Sequence, residues 1–197
     1  MNLLIVSGST RARSRTRALA TGLVSVAETA GASVRLLDLH ATRLPLFESG
    51  NADLAARPEV EEIKDSAAWA DGFLLGTPEY HGGVSSALKN WLDYLYEELA
   101  GKLAGVYAVT GGGGGDMSIT AVKNSVHWCH GFTLPFHAAA RGVDFDGLAL
   151  QNEKVRDRLE RLVRDLVRYA PVLRSTFESA RAQGKGPEAG FAGFHAD

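Results

Sequence analysis

The sequence predicts a doubly wound α/β protein: a five-stranded parallel sheet with helices on both faces. Three observations carry that expectation. Short apolar runs of strand length alternate with longer stretches whose apolar residues recur at helical spacing. The runs are apolar at successive rather than alternate positions, as strands buried on both faces must be. Each run ends at Gly, Ser, Thr or Pro, the residues that turn a chain out of a sheet. Strand alternating with helix along the whole chain requires crossover connections, which put helices on both sides of a parallel sheet.

The elements follow in order. Residues 3–6 (Leu-Leu-Ile-Val) form a first buried strand that stops at Ser7-Gly8-Ser9-Thr10, and from Thr16 the spacing of Leu19, Leu23, Val26, Ala27 and Ala30 gives a helix ending before Gly31. Residues 34–39 are a second strand. Leu44-Pro45-Leu46-Phe47 opens a long loop, and residues 59–69, with Val60, Ile63 and Ala67, are a second helix. Residues 72–77 are a third strand, followed by a helix placing Leu88, Trp91, Leu92, Leu95 and Leu99 on one face. Residues 103–110 are a fourth strand running into five glycines, 111–115, before a helix with Ile119, Val122 and Val126. An apolar run near 133–140 supplies the fifth strand, and Asp144-Phe145-Asp146-Gly147 is a turn. The last helix is expected over 153–169, with Pro171 just beyond its end. Helical spacing then fades, so the chain is read as one domain over residues 1–174 and an irregular tail over 175–197, with Phe177, Phe191 and Phe194 available to dock on a partner subunit.

Composition narrows the function. The chain has 197 residues, 45 % hydrophobic and 22 % charged, enough to bury a core without disulfides or a structural metal. A net charge of −2 argues against nucleic acid or an anionic membrane as partner. The single Cys129 cannot close an intrachain disulfide, which fits a reducing compartment and a cytoplasmic protein. The apolar run at the start is too short for a signal peptide or a membrane span. His127, His130 and His137 stand near Cys129, but their mixed helix and strand placement reads as core or surface histidines rather than a metal site.

In open α/β sheets the ligand lies beyond the carboxyl ends of the strands. Three loops there carry unusual chemistry. The loop after the first strand holds Ser9, Thr10, Ser14 and Thr16, whose hydroxyls can donate to phosphate oxygens, beside Arg11 and the amides of a helix start. Ser14 or Thr16 capping the helix is the plainer use of the same residues. The loop lacks the Gly-x-Gly-x-x-Gly of a dinucleotide fold and the Gly-Lys-Ser/Thr of a P-loop, so a monophosphate suits it better than NAD or ATP. After the third strand, Pro78-Glu79-Tyr80-His81-Gly82-Gly83 offers backbone amides and flat side chains to a planar ligand; an ordinary turn capped by Ser85 or Ser86 is the alternative. After the fourth, Thr110 and Gly111, Gly112 and Gly113 permit close backbone approach to a ligand.

Two of these stretches, Gly8-Ser9-Thr10-Arg11-x-x-Ser14-x-Thr16-x-x-Leu19-Ala20 and Thr77-Pro78-Glu79-Tyr80-His81-Gly82-Gly83, followed by Leu88-Lys89-Asn90-Trp91-Leu92-Asp93, resemble the NADPH-dependent FMN reductase family over roughly residues 1–173. The resemblance implies a flavodoxin-like fold, noncovalent FMN, NADPH or NADH as electron donor, a flavin, quinone or similar small-molecule acceptor, and a homodimer or homotetramer. It implies that Ser9, Arg11, Ser14 and Thr16 hold the phosphate, that Pro78, Glu79, Tyr80, His81 and Gly82 line the isoalloxazine, and that Gly111 to Gly113 flank its pyrimidine side. Tyr80 and His81 are then the residues that touch substrate, while the flavin does the chemistry. Family members often have Asn where Thr16 and His81 stand here, and a shorter glycine run. A flavodoxin-type electron carrier or a non-catalytic phosphate-ester-binding module would fit the same sheet. Arg13 and Arg15 would meet a nicotinamide cofactor's 2′-phosphate or face water.

Overall fold

A computed structural model describes residues 1–196. Its central sheet is parallel throughout, with β1 (Asn2–Ser7), β2 (Ser33–Asp38), β3 (Gly72–Pro78) and β4 (Leu103–Thr110) in the order β2-β1-β3-β4. The fifth position is filled by two pieces. β5 (Phe132–Thr133) pairs with Leu103 and Ala104, and β6 (Ala138–Arg141) pairs with residues 107–110 of β4. Sequence reading expected one continuous strand here. Pro135 has no N–H to give to the ladder, so the chain leaves the sheet after Leu134 and rejoins it at Ala138. The order 2-1-3-4-5 is that of flavodoxin-like folds, with the strand order reversing between β1 and β3.

Alternate residues of each strand feed two separate cores. Leu4, Val6, Phe73, Leu75 and Val106 pack against α3 (Pro58–Trp69), α4 (Ser86–Asp93) and α5 (Asp116–Trp128), where Val60, Ile63, Trp91 and Val122 are fully buried. Leu3, Ile5, Leu74 and Tyr107 face the other way, onto Leu19 and Leu23 of α1 (Arg15–Thr29) and Leu162, Val163 and Leu166 of α6 (Glu153–Arg181). The long loop after β2 contains one short helix, α2 (Ala52–Ala55), which sequence spacing did not signal.

Two boundaries differ from expectation. The helix begun at Ser86 ends at Asp93, because Tyr94, Leu95, Leu99 and Ala100 switch to backbone bonds three residues back, a tighter turn that still buries Leu95 and Leu99. The last helix does not stop near Tyr169. It runs 29 residues, through Pro171 to Arg181. A proline inside a helix costs about 3 kcal/mol, but Pro171 lies on the exposed side while Leu166, Ala170 and Phe177 keep the buried stripe in phase across it. The segment expected to be an irregular tail is thus helical to Arg181. It is followed by a 3₁₀ segment over Pro187–His195 that returns to α6 and buries Ala189, Ala192 and His195; Asp197 lies outside the described residues. Phe177 is buried within the chain against Ala100 and Ala192, whereas Phe191 and Phe194 remain exposed. Between β6 and α6, a short antiparallel hairpin pairs β7 (Phe145–Asp146) with β8 (Ala149–Leu150). No helix among the described residues is long and apolar enough to cross a membrane.

Candidate active site

The carboxyl ends of β1, β3 and β4 open on one cavity of about 440 Å³, within the ordinary range of small-ligand sites. Ser9, Arg11, Arg13, Ser14, Arg15 and Thr16 line it from the first loop, Pro78, Glu79 and Tyr80 from the second, and Val109, Thr110 and Gly111 from the third.

The first loop ends at α1. Ser14 caps that helix, its Oγ accepting the Arg17 N–H at 3.2 Å, so one first-turn amide is satisfied internally. The remaining first-turn amides and the positive end of the helix still favour an anion in the cavity. Ser9, Ser14 and Thr16 are all buried, and Ser9 Oγ accepts the Arg11 N–H at 3.4 Å. Below them, the buried Tyr107 hydroxyl donates to the Thr16 carbonyl at 2.9 Å, tying β4 to the start of α1. Burial raises the Tyr107 phenol far above its ordinary value, so it stays a donor.

The first and second loops are joined. Gly8 N–H donates to Gly76 O at 2.8 Å, and the Ser85 hydroxyl donates to Gly8 O at 2.6 Å while accepting the Leu88 N–H as the cap of α4. Thr77 Oγ1 accepts the Ser85 N–H at 3.1 Å. Residues 80–83 then form a tight turn, with Tyr80 N–H donating to Gly83 O and Gly83 N–H to Tyr80 O. Both central residues are left-handed, His81 at φ 51° and Gly82 at φ 70°, the geometry of a type I′ turn. Across the cavity mouth the Arg11 guanidinium sits 5.3 Å from the centre of the Tyr80 ring, a cation–π contact between the two loops.

Not every expected residue reaches the cavity. Thr10 lines a separate cavity of about 220 Å³ with Leu39, Thr42 and Arg43, and its carbonyl accepts from His40 Nδ1 at 2.8 Å. His81 is exposed on the turn, and Gly82 lies against Met117 of α5. Gly112 and Gly113 are exposed beyond the cavity lining, and Gly113 O accepts the Thr110 hydroxyl at 2.6 Å. Glu79 lines the cavity, but its Oε2 accepts the Ser118 N–H of α5. That carboxylate serves a helix start, and Glu79 is the one acidic residue among those lining the cavity. The three histidines separate as well. His127 Nε2 lies 2.9 Å from Thr133 Oγ1, His130 Nδ1 lies 2.8 Å from His195 Nε2, and His137 Nε2 lies 3.4 Å from Asp116.

Sequence reading missed three wall residues, Val109 at the end of β4 and Gly147 and Leu148 at the tip of the β7–β8 hairpin, although it marked the turn that contains Gly147. It also left Arg15 pointing at a nucleotide or water. In the structure Arg15 Nε donates to Gly147 O at 3.0 Å, and its guanidinium lies over the Phe145 ring.

Residues 1–145 match the family model of the NADPH-dependent FMN reductases. The chain is 32 % identical over 187 residues to the NADPH azoreductase of Bacillus sp. (strain OY1-2), spanning 93 % of this chain and 98 % of that protein. It is 28 % identical over 178 residues to the FMN-dependent NADPH-azoreductase of Staphylococcus saprophyticus, spanning 86 % of this chain and 95 % of that one. Among solved structures, the flavoenzyme NAD(P)H:(acceptor) oxidoreductase of Paracoccus denitrificans superposes with a TM-score of 0.72 at 22 % identity, over 87 % of this chain and 97 % of the other.

Proposed function

The chain belongs to the NADPH-dependent FMN reductase family and is an NAD(P)H-dependent FMN oxidoreductase; from that premise we propose that the cavity at the ends of β1, β3 and β4 is its FMN site. The observation that carries this reading is the meeting, in one cavity, of three buried hydroxyls from the loop into α1 with residues 78–80 of the second loop and Gly111 of the third. Ser9, Ser14 and Thr16 donate to the phosphate together with the first-turn amides of α1, and Arg11 and Arg13 balance its charge. The backbone of residues 78–80 and Gly111 flank the ring. A Cβ built on Gly111 would meet nothing within 4 Å, so that wall is open to a planar group. Bound FMN would supply the redox chemistry, taking a hydride from NAD(P)H and passing electrons to the second substrate. The protein's part is to fix the ring's position, exclude water and present the rim residues Tyr80 and His81 to substrate.

The acceptor we propose is a small aromatic molecule, an azo compound or quinone, supported by the azoreductase names of the two relatives. Met117 and Trp128, 69 % and 82 % exposed on α5, support a homodimer or homotetramer. The lone thiol, Cys129, supports a cytoplasmic setting.

The first test is the visible spectrum of the protein after addition of excess FMN and desalting, then of NADPH without oxygen. Retained flavin bands that bleach with NADPH and recover with an azo dye or quinone support the whole reading. Retained flavin without bleaching would indicate an electron carrier. The absence of both retained flavin and turnover of free FMN would sink the reading.

A further inference from the structure

The proposed flavin cavity lies at the carboxyl ends of the strands; at their amino ends the chain gathers a second cluster of titratable side chains. The 3₁₀ segment Pro187–His195 packs there against α6 and brings His195, 5 % exposed, between two other parts of the chain. His195 Nδ1 lies 2.5 Å from Oε2 of Glu97, in the turns after α4, and His195 Nε2 lies 2.8 Å from Nδ1 of His130, just after α5. Phe194 stacks on the His130 ring at 5.5 Å, and Phe177 of α6 lies 5.7 Å from the His195 ring. His195 thus holds the segment at two points, while Ala192 packs on Phe177 and Ala100.

The hydrogens along Glu97, His195 and His130 can be counted. A carboxylate only accepts, so His195 Nδ1 carries a hydrogen and donates it to Glu97. One hydrogen fits between His195 Nε2 and His130 Nδ1, and with both rings neutral it belongs to His130. A first added proton goes to the outer nitrogen of His130; both bonds survive, and the Glu97 carboxylate balances the charge. A second puts a hydrogen on each of the two facing nitrogens, so a bond becomes a contact between donors on two cations. Tyr96 and Glu98 after α4, Cys129 at the end of α5, Lys102 before β4, and Arg174, Glu178 and Arg181 of α6 face this chain as well, and Glu188 lies on the segment itself. Glu97 and Glu98 favour the first charge, whereas the first imidazolium, Lys102, Arg174 and Arg181 oppose the second.

We propose that Glu97, His195 and His130 form an acid-released clasp on residues 187–195, closed at neutral pH and through the first protonation, and open once both imidazoles are charged. The open form binds one more proton than the closed form, so acid favours opening. Histidines ordinarily charge in the range from about pH 7 down to about pH 5, which is where the release is expected. Opening frees Phe191 and Phe194 with the segment and uncovers Phe177 and Ala100. The clasp stands apart from the flavin cavity and does not depend on the flavin reading.

The test is hydrogen–deuterium exchange of the full chain at pH 7, 6 and 5, read by mass spectrometry on peptides from residues 187–195 and from β4, with exchange times scaled for the intrinsic effect of pH. In the native chain the segment should lose protection by at least about tenfold between pH 7 and 5 while β4 keeps its own. His130→Asn suits the left-handed backbone at φ 57° and offers His195 a side-chain amide that cannot charge. It should hold the loss to about threefold or less, an effect that mere loosening would not give. Glu97→Gln, at a side chain 63 % exposed, cannot balance the first charge and should bring the loss forward to between pH 7 and 6. Native protection that does not change with pH overturns the inference, and so does loss that occurs together with β4, which is global unfolding. A loss of the native size at the native pH in His130→Asn overturns it too. Should that variant not fold, Glu97→Gln decides, and a loss at the native pH there overturns the inference.

Discussion

Glu79 Oε2 accepts the backbone N–H of Ser118 at 3.1 Å, joining the loop after β3 to the first turn of α5. The residue before that helix is Gly115, left-handed at φ 80° and without a side chain to cap it. A carboxylate from another loop does the capping instead, and it favours the positive end of the helix as well. Because α5 begins where the glycine run ends, the bond fixes two of the cavity's three loops relative to each other.

Glu79→Ala should therefore lose about 1 kcal/mol of stability, the usual worth of a cap, and retain less FMN through desalting. Glu79→Gln keeps an acceptor oxygen and should recover most of both losses. Thermal unfolding and flavin retention measured on the same preparations decide it. Equal damage from the two variants would show that the charge, not the hydrogen bond, is what matters.

His81 carries a backbone penalty. At φ 51° a residue with a Cβ is less stable than glycine by roughly 1–2 kcal/mol, and asparagine tolerates this region better than most. His81→Gly should raise the melting temperature by about 2–8 °C, His81→Asn should raise it by less, and His81→Val should lower it. A rise with Val would mean that the left-handed turn is not kept in solution.

Gly76 is where β3 passes the Tyr107 ring. A Cβ there would lie 2.2 Å from the ring carbon bearing the hydroxyl, and Tyr107 is fully buried with its hydroxyl on the Thr16 carbonyl. Gly76→Ala must displace the strand or the ring, costing about 1–3 kcal/mol, and displacing the ring loosens the first turn of α1. We expect a lower melting temperature together with weaker FMN retention. A stable variant with unaltered flavin retention would show that the Tyr107 link to α1 does not position the site.

What could be read from the sequence was local. The hydroxyl loop after β1 and the Pro78–Tyr80 stretch declare themselves by composition, and the buried strands place both at the same sheet edge. What could not be read depends on partners distant in the chain. Arg15 and Gly147 are 132 residues apart, and nothing near either one announces the other. Glu79 looked like a ligand-facing carboxylate until the approach of Ser118 gave it a different use. Thr10 shares the hydroxyl run but turns toward His40, a distinction set by the path of the loop after β2. Pro171 misled because a local breaker was overruled by tertiary packing: Ala170 and Phe177 continue a buried stripe that the proline does not interrupt.

Lys102 gives a pH signature of the fold. Its Nζ donates to the carbonyls of Ala67 and Ala68 at the end of α3, at 2.7 and 3.1 Å, and the residue is almost wholly buried. Burial is the main cause that lowers its pKa to about 8; the Arg174 charge adds to this, while Asp71, Glu98 and Glu178 oppose it. Below pH 8 the folded and unfolded chains both hold the proton, and the cost of burying the ammonium is constant. Between 8 and the ordinary value of 10.5 the unfolded chain binds more protons, so the Lys102 contribution rises with pH, by about 2 kcal/mol from pH 8 to 10. Cys129, Tyr94 and Tyr107 act in the opposite sense at alkaline pH, since burial raises each of them and the unfolded chain loses their protons first. The comparison that isolates Lys102 is therefore native protein against Lys102→Met, by urea unfolding at pH 8, 9 and 10. The native chain should gain on the variant across that range, and a difference that stays flat with pH would mean that Lys102 keeps its proton to the same pH folded as unfolded.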